Sequence, residues 1–411
     1  MRRIIAVLAL LAGPAWGQAL PVFSPSGPDA AGYGEAAGYP LRQPGTRREQ
    51  QHLIAEFSRN DQLMSVRRIP RPPVPSVLTR APQELRLSWT HRGRPADLPD
   101  YLSRHATTGL LVMQDRTILY EHYQYGRRDT DRFLSQSMAK TVTAMLVGIA
   151  VGEGRIRSID DLAEDYVADL KGSTIGATPI RALLHMASGL AYREDYDGQD
   201  DAAKLNRGLF ARNGQGAVAT LRQFEAREAA PGTKWRYKGA DTETLGLVLM
   251  AATGMPVADY LASRIWQKIG AEAGAAWGID TAGKEAAFCC LNATLRDWAR
   301  LGALLAQDGA WEGQQIIPAA WVRAATSVQA PYLAPGPAGT GSSYGYGYQV
   351  WLLPDAGRQF VLLGVHGQAL YVDPQSKLVL VHTAARVRAV GDPLAPELGT
   401  LWRALVAQRG R

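Results

Sequence analysis

The sequence feature that most restricts the fold is an uncharged run of twelve residues, 141–152, directly after Lys140. A helix on the surface of a protein has one apolar stripe and one polar face. This run has no charge on any face, so it predicts a helix that other elements cover on most sides. The chain must therefore form a domain large enough to enclose a helix, which Gly152-Glu153-Gly154 is expected to end.

Ser137 and Lys140 stand at the start of this helix, three residues apart and hence on one face. A serine hydroxyl becomes a good nucleophile when a base removes its proton, and a neutral lysine amine one turn away can do so. Burial and the positive end of the helix dipole both lower the pKa of such a lysine. The backbone N–H of Ser137 also offers half of an oxyanion hole. Ser-x-x-Lys often arises by chance, but it occurs once in this chain, at the head of a buried helix.

The first nineteen residues have the composition of a secretory signal. Arg2 and Arg3 precede an apolar stretch at residues 4–12, and small residues follow up to Ala19. The apolar stretch is too short to span a bilayer, which argues against a membrane anchor. We expect residues 1–19 to be removed and the protein to be periplasmic or secreted.

Composition and charge exclude several classes of function. The formal net charge of +7 falls to +5 without Arg2 and Arg3, and the other basic residues form no block, which argues against nucleic-acid binding. Cys289 and Cys290 are adjacent, so they form either a vicinal disulfide or two buried thiols. No histidine and carboxylate cluster has the spacing of metal ligands. We expect neither a metal nor another cofactor, and these features leave the oligomeric state open.

The predicted elements follow one another in a distinctive order. Residues 20–83 are rich in proline and glycine and predict a leader draped over the fold, with one helix near residues 51–64. Residues 110–123 predict a β-hairpin that leads directly into the buried helix. Helices and loops follow through the middle of the chain. Ser158 is expected to cap one of these helices, and residues 178–186 to form another.

Strand patterns return near the C-terminus, ahead of a final helix near residues 396–408, and the strands are predicted at residues 346–351, 359–363, 369–372 and 378–382. Strands at both ends of a chain with helices between them indicate an α/β (α+β) fold. We expect residues 84–150 and 311–411 to form an α/β domain with an antiparallel sheet flanked by helices. Residues 151–310 are expected to form a mainly helical domain.

This order of elements resembles the serine β-lactamase and penicillin-binding-protein superfamily. The likeness spans about residues 85–405 and rests on Phe133-x-x-x-Ser137-Met-Ala-Lys140-Thr and on the later segment His185-Met-x-Ser188-Gly189-Leu190. Within the superfamily, the chain is more similar to the class C-related hydrolases, including the 6-aminohexanoate-dimer hydrolases and the esterases of this fold. The resemblance implies a β-lactamase/transpeptidase-like fold and a serine hydrolase that acts through an acyl-enzyme.

The resemblance also implies a catalytic tyrosine about a hundred residues after the serine, in a Tyr-x-Asn motif. Tyr237 fits the first position of this motif, and Gly239 replaces the asparagine. Tyr237, as a phenolate stabilised by Lys140, would take the proton of Ser137 and later return it to the leaving group. The asparagine of the family holds the amide side chain of β-lactam and peptidoglycan substrates, so its absence argues against those substrates.

The Lys-Thr-Gly strand motif of the superfamily is replaced here by His366-Gly367-Gln368, which is similar to a variant found in the amide hydrolases and esterases. His366 is expected to be either a substrate contact or a hydrogen-bonded residue at a strand end. Gly367 allows substrate to lie against the strand, and the next backbone N–H, from Gln368 or Ala369, is expected to complete the oxyanion hole. Without the lysine charge, neutral esters and short neutral amides are expected to be preferred.

Two tyrosines, Tyr192 and Tyr196, lie where related amide hydrolases keep a mobile loop over the site. One of them is expected to donate to the leaving nitrogen or the carbonyl of the substrate. Ser343 matches the G-x-S-x-G elbow, but this elbow requires a strand before it and a helix after it. A loop and a strand pattern flank Ser343 instead. His382 only superficially resembles the start of Lys-Thr-Gly, because it ends a later strand.

The sequence therefore predicts an exported serine hydrolase that cleaves an amide or ester bond of a small molecule through an acyl-enzyme intermediate. One alternative is a D-alanyl-D-alanine carboxypeptidase or β-lactamase. Another is a non-catalytic binding or sensor module on the same fold. The missing Tyr-x-Asn and Lys-Thr-Gly motifs oppose the former, and the presence of Ser137, Lys140 and Tyr237 opposes the latter.

Overall fold

A computed structural model describes residues 18–43, 46, 48–355 and 357–410 of the chain. Nearly all of the predicted secretory signal lies outside these residues. The described part contains eleven α-helices: α1 (Leu53–Ser58), α2 (Leu98–Arg104), α3 (Met138–Gly152), α4 (Ile180–Leu184), α5 (Asp201–Phe210), α6 (Gly216–Leu221), α7 (Gly239–Thr253), α8 (Val257–Leu261), α9 (Leu295–Ala306), α10 (Ala319–Ala325) and α11 (Pro396–Arg409).

The strands of the described residues are β1 (Val22–Phe23), β2 (Val66–Ile69), β3 (Thr79–Arg80), β4 (Ser88–His91), β5 (Arg94–Asp97), β6 (Thr107–Gln114), β7 (Thr117–Tyr123), β8 (Phe133–Leu134), β9 (Ala275–Gly278), β10 (Leu291–Ala293), β11 (Ala310–Trp311), β12 (Gln314–Gln315), β13 (Gly345–Tyr346), β14 (Trp351–Leu352), β15 (Phe360–Gly364), β16 (Gln368–Asp373) and β17 (Leu378–Ala384).

The main sheet joins the two ends of the chain. Its order is β1-β7-β6-β17-β16-β15-β14-β13, with β3 also paired to β7. From β7 to β13 all neighbours are antiparallel, and β6 lies directly beside β17. The predicted hairpin and the predicted fold class, an antiparallel sheet built from N- and C-terminal parts and flanked by helices, are confirmed.

The sheet is covered on both faces, which explains why its central strands are apolar at successive positions. In β6, Leu111 and Met113 pack into the core that contains α3 and α9. Leu110 and Val112 point to the opposite face, where they pack with residues of α2 and α11. Successive side chains of a strand point to opposite faces, so an uninterrupted apolar run fits a strand between two helical layers.

Helix α3 occupies the position that its sequence predicts. All of its residues from Met138 to Ala150 are buried, and it ends at Gly152 as expected. It contacts α7 and α8 as well as the strands β15 and β16. Among the described residues no single helix is long and apolar enough to cross a membrane, although α7 passes that criterion when combined with Val257–Trp266 as a pair bent by 72°.

The proline-rich leader is more than a covering loop. The expected helix is present as α1, shorter than predicted and extended by 3-10 turns at Gln50–His52 and Asn60–Gln62. The leader also contributes strands, because β1 and β3 pair in parallel with β7. Strand β2 joins a second sheet of order β2-β9-β10-β8. Short edge strands of this kind are difficult to recognise in a sequence that contains so much proline.

Two sequence predictions are wrong in this part of the structure. Ser158 starts no α-helix: its hydroxyl accepts the N–H of Asp160 at 3.1 Å in a turn, and the acidic side chains after it bind Arg181 and Tyr166. The predicted strand at residues 346–351 is instead the hairpin of β13 and β14. In the turn between them Gln349 has a left-handed φ of +58°, and Gly347 packs so closely on the carbonyl of Ala325 that no side chain would fit.

A buried carboxylate ties the leader to the rest of the fold. Glu121 of β7 is 2% exposed and accepts hydrogen bonds from Arg80 of the leader, from Arg296 of α9 and from the Tyr123 hydroxyl. Removing Glu121 would leave Arg80 and Arg296 without this buried partner, and such a loss costs far more free energy than the loss of a surface ion pair. We therefore expect Glu121→Ala to lower the free energy of unfolding by about 3 kcal/mol. Urea denaturation measures this change.

The matched control is Glu312→Ala, because Glu312 is 54% exposed and pairs with Arg116 at the surface. Its removal should cost less than about 1 kcal/mol. Equal losses in the two variants would show that the Glu121 cluster does not hold the leader in place.

Candidate active site

Ser137 lies at a sharp junction between β8 and α3. Gln136, directly before it, has φ of +46°, a left-handed conformation that is uncommon for residues with side chains and is often found at active sites. Ser135 fixes this turn. Its N–H donates to the Leu291 carbonyl at 2.8 Å, and its hydroxyl donates to the Gln136 carbonyl at 2.8 Å and accepts the Leu291 N–H at 3.1 Å. The turn places Ser137 on the wall of a cavity of about 1160 Å³.

Lys140 lies beside Ser137 as its spacing predicts. Its Nζ donates to Ser137 Oγ at 2.9 Å and to the Phe288 carbonyl at 3.1 Å. The same nitrogen is 4.9 Å from the centre of the Tyr237 ring. Burial lowers the pKa of Lys140 to about 8, and the charges of Glu194 and Glu243 oppose this effect only in part. A substantial fraction of the amine is therefore neutral near physiological pH.

Glu243 of α7 is a buried carboxyl close to this lysine. It accepts the N–H of Ala287 at 2.9 Å and thereby fixes the segment whose next carbonyl, that of Phe288, holds Lys140. Burial raises the pKa of Glu243 to about 8. Glu243 is consequently mostly neutral at pH 7 and gives the ammonium form of Lys140 little support.

Tyr237 completes the group, in the loop that leads into α7. Its ring stacks on Trp351 with centroids 5.5 Å apart and meets Tyr346 edge-on at 6.2 Å. Burial and then the charge of Glu194 raise the pKa of Tyr237, while a hydrogen bond toward Ser137 lowers it. The net shift is upward, so Tyr237 is a neutral phenol at physiological pH. The structure therefore brings Ser137, Lys140 and Tyr237 together.

The segment from His185 to Leu190 holds the residue that follows Tyr237 in place. The N–H of Lys238, the next residue, donates to Met186 Sδ at 3.3 Å, and its buried ammonium donates to the Met186 carbonyl at 3.3 Å. The N–H of Ser188 in turn donates to Asp241 of α7 at 3.2 Å. His185 is buried, which lowers its pKa to about 4 and keeps it neutral. This segment acts as a scaffold for the site.

Glu194 lies in the site although no sequence motif contains it. Its carboxylate accepts the Gly239 N–H at 2.6 Å and the Tyr196 hydroxyl at 2.8 Å. A Cβ on Gly239 would lie 3.5 Å from this carboxylate and 3.4 Å from the Phe288 ring. Both distances are ordinary van der Waals contacts, so Glu194 lies directly beside the position that the asparagine holds in the family. The only signal in the sequence was its position between the two predicted tyrosines.

The two loop tyrosines are in different environments. Tyr192 is 1% exposed, and its hydroxyl has no hydrogen-bond partner among the described residues. Tyr196 is 36% exposed and is tied to Glu194. Both line the cavity that contains Ser137. Of the two, Tyr196 has the hydroxyl that an arriving substrate reaches more easily.

His366 is buried at the end of β15, where its backbone φ is +63°. Its Nδ1 lies 2.6 Å from the carbonyl of Arg386, so this nitrogen carries the proton and donates. Burial lowers the pKa of His366, and the nearby charge of Arg48 adds to this effect. His366 is thus a neutral, hydrogen-bonded residue at a strand end, and it also lines the cavity.

The three residues after His366 are held by contacts within the sheet. Gly367 is left-handed and packs against Arg386, and the side-chain Nε2 of Gln368 donates to the Ala384 carbonyl at 2.7 Å. Ala369 pairs with Leu363 inside the sheet. None of the three lies on the cavity wall. The expectation that the backbone N–H of Gln368 or Ala369 completes the oxyanion hole stays a prediction.

Gly364, at the end of β15, packs directly against the serine turn. A Cβ on Gly364 would lie 2.5 Å from the Ser135 carbonyl and 2.9 Å from Gln136 Cβ. The strand backbone can approach the serine turn this closely only because Gly364 has no side chain. Val365 follows directly and lines the cavity together with Ser137.

Cys289 and Cys290 form a vicinal disulfide, with Cα atoms 3.8 Å apart, which decides between the two alternatives left open above. Both line the cavity next to Phe288. Of the two misleading patterns, Ser343 is exposed on a loop, and His382 is buried in β17 with Nδ1 2.7 Å from the Gly367 carbonyl. Within the described ranges no group of three or more His, Cys, Asp or Glu residues is arranged to hold a metal.

The sheet, the buried helix and the Ser-x-x-Lys pair at its head define the class of the protein as β-lactamase-like. The family model described as Beta-lactamase matches residues 102–398, and the chain belongs to this family.

Individual relatives agree with this assignment. Over 301 residues the chain is 27% identical to 6-aminohexanoate-dimer hydrolase of Paenarthrobacter ureafaciens. The alignment covers 70% of this chain and 75% of that protein. A Bacillus anthracis structure provisionally named 6-aminohexanoate-dimer hydrolase superposes with a TM-score of 0.79 at 24% identity, covering 89% of this chain and 99% of that one. The structure of a D-stereospecific amidohydrolase from Streptomyces superposes with a TM-score of 0.54 at 17% sequence identity. The superposition covers 73% of this chain and 94% of that chain. These structures confirm the fold.

The charge of Glu194 raises the pKa of Lys140, so its removal should lower that pKa further. Glu194→Gln keeps an acceptor for the Gly239 N–H while removing the charge. We expect the alkaline rise of kcat/KM for a p-nitrophenyl ester to begin at lower pH than in the wild type, because the neutral amine is populated earlier.

The control for this pH profile is Asp195→Asn, which removes a neighbouring charge that is 59% exposed and pairs with Arg193. Its midpoint should coincide with that of the wild type. A Glu194→Gln midpoint that stays in place or moves to higher pH would rule out a free Lys140 amine as the titrating group.

Proposed function

We propose that this protein hydrolyses amide or ester bonds of small molecules through an acyl-enzyme on Ser137. The observation that carries this proposal is the 2.9 Å hydrogen bond between Ser137 Oγ and Lys140, a lysine whose pKa is lowered to about 8 by burial. A buried amine that is partly neutral at physiological pH, in contact with a serine at a helix start, is a nucleophile and base pair.

In the first step the neutral amine of Lys140 accepts the proton of Ser137 while Ser137 Oγ attacks the substrate carbonyl. The backbone N–H groups of Ser137 and Val365 stabilise the oxyanion, a role supported by the approach of Gly364 to the serine turn. Lys140 rather than Tyr237 is the base, because the pKa of Tyr237 is raised. The neutral phenol instead donates its proton toward the leaving group and is recharged by Lys140.

In the second step water attacks the ester carbonyl of the acyl-enzyme, and Ser137 Oγ recovers its proton as it leaves. Lys140 serves as the base for this water, since its amine is free again once the first leaving group has departed. Tyr196, held by Glu194, contacts the leaving group or the carbonyl of the substrate from the loop side.

Linear amides are the substrate class that these observations favour. The related Paenarthrobacter protein is named as a hydrolase of the 6-aminohexanoate dimer. In this chain a glycine, Gly239, replaces the asparagine of the Tyr-x-Asn motif, and its backbone N–H donates to Glu194. A β-lactam or peptidoglycan amide would therefore lack that partner. We also propose export to the periplasm or beyond on the basis of residues 1–19, and the Cys289–Cys290 disulfide suits an oxidising compartment.

A fluorophosphonate probe tests the nucleophile directly. We expect the probe to label the wild-type protein and Ser343→Ala, whose serine is exposed on a loop, but not Ser137→Ala. Turnover of p-nitrophenyl butyrate should fall to background in Ser137→Ala only, while its melting temperature stays within a few degrees because one hydroxyl carries little packing. Retained labelling or turnover in Ser137→Ala would contradict the proposal.

A substrate panel separates the proposal from its alternatives. A linear amide and a p-nitrophenyl ester should both be hydrolysed with higher kcat/KM than nitrocefin or a D-alanyl-D-alanine peptide. Faster nitrocefin hydrolysis would identify a β-lactamase instead. A chain that neither reacts with the probe nor turns over any substrate would be a binding module.

A further inference from the structure

The leader forms one wall of the active-site cavity. Seven of its residues line the cavity that contains Ser137: Arg42, Arg48, Glu56, Asn60, Leu63, Met64 and Ser65. Glu56 and Asn60 belong to α1 and the turn after it, so this wall is built on ordered structure. A segment outside the matched family region, which begins at residue 102, therefore shapes the space in which a substrate binds.

Arg48 is a leader residue in polar contact with the strand motif. Its Nη1 lies 3.4 Å from His366 Nε2, and its Nε donates to Glu56 Oε1 at 2.9 Å. Because the proton of His366 is on Nδ1, its Nε2 accepts, and the contact with Arg48 is a hydrogen bond from the guanidinium. The side chain of Arg48 is held in place on two sides.

The guanidinium of Arg48, which lines the cavity, has N–H bonds that these contacts leave unused. Arg48 has five N–H bonds, and the contacts to Glu56 and His366 use three of them. Its side chain remains 44% exposed. Arg42 also contacts Glu56, with its Nε 3.4 Å from Glu56 Oε2. Two guanidinium charges therefore share one buried carboxylate, and a net positive charge remains. A planar fork with two unused N–H bonds suits a carboxylate.

The contact between Arg48 and His366 removes the reason for expecting neutral substrates. Neutral substrates were expected because His366 replaces the lysine of Lys-Thr-Gly. His366 is indeed neutral, but the leader places a permanent cation directly against it. The positive charge lost from the strand is thus present in the same part of the cavity, and it comes from an element far away in the sequence.

We propose that Arg48 is a specificity-determining residue that binds a carboxylate of the substrate, so that the preferred substrates are amides with a free carboxylate away from the scissile bond. This inference rests on the proposed function for the reaction itself. It adds that the leader, rather than the strand motif, selects the charge of the substrate.

Equilibrium binding tests this proposal without relying on turnover. The full chain carrying Ser137→Ala is titrated by calorimetry with the linear dimer of 6-aminohexanoic acid and with its C-terminal carboxamide, two ligands that differ in one charge. The acid should bind roughly tenfold or more tightly than the carboxamide, since a hydrogen bond to a charged group is worth about that much. Adding Arg48→Gln should abolish this difference, and Arg48→Lys should retain part of it.

Arg68→Gln is the matched control, because Arg68 is a leader arginine that is 62% exposed, pairs with Asp61 and does not line the cavity. It should leave the tenfold difference intact. Absence of binding, equal binding of the two ligands, or a difference that survives Arg48→Gln would overturn the proposal. Failure of the proposed function is seen separately, as a lack of fluorophosphonate labelling in the chain that retains Ser137 and Arg48.

Discussion

The structure depends on the burial of a lysine at the head of an uncharged helix. An ammonium is costly to remove from water, so a buried lysine without a full counter-charge shifts toward its neutral form. Around Lys140 the fold supplies one carbonyl, one hydroxyl, two aromatic faces and a mostly neutral carboxyl. The packing that stabilises α3 and the chemistry of Ser137 therefore have the same origin.

The remaining parts of the site are fixed by backbone geometry. Gln136 and His366 both have left-handed conformations, one before the nucleophile and one at the end of the facing strand. Residues in such conformations cost free energy and persist only where the surroundings hold them. Ser135 holds the first turn through Leu291, and the Arg386 carbonyl holds the second through His366. Gly364 then lets the strand approach the serine turn closely enough to form one site.

The sequence was informative where a local pattern determines the outcome. The uncharged run predicted α3, two strand-like runs on either side of a turn predicted the hairpin, and spacing predicted the Ser137–Lys140 contact. It failed where position depends on long-range contacts. Val365 lines the cavity with Ser137 and Gln368 does not, and the strand pattern gives no sign of the left-handed His366 that lies between them. Glu194 and Arg48 reach the cavity from a loop and from the leader, and no periodicity marks such residues.

The most direct test of this account is the pKa of Lys140 itself. Protein labelled with 13C at the lysine ε-carbons is titrated by NMR, and the Lys140 signal is identified by its loss in Lys140→Arg. Lys238, also buried and with a lowered pKa, provides an internal comparison. The account predicts that the Lys140 signal titrates with a midpoint near pH 8. A Lys140 midpoint above pH 10, the ordinary value for an exposed lysine, would contradict it.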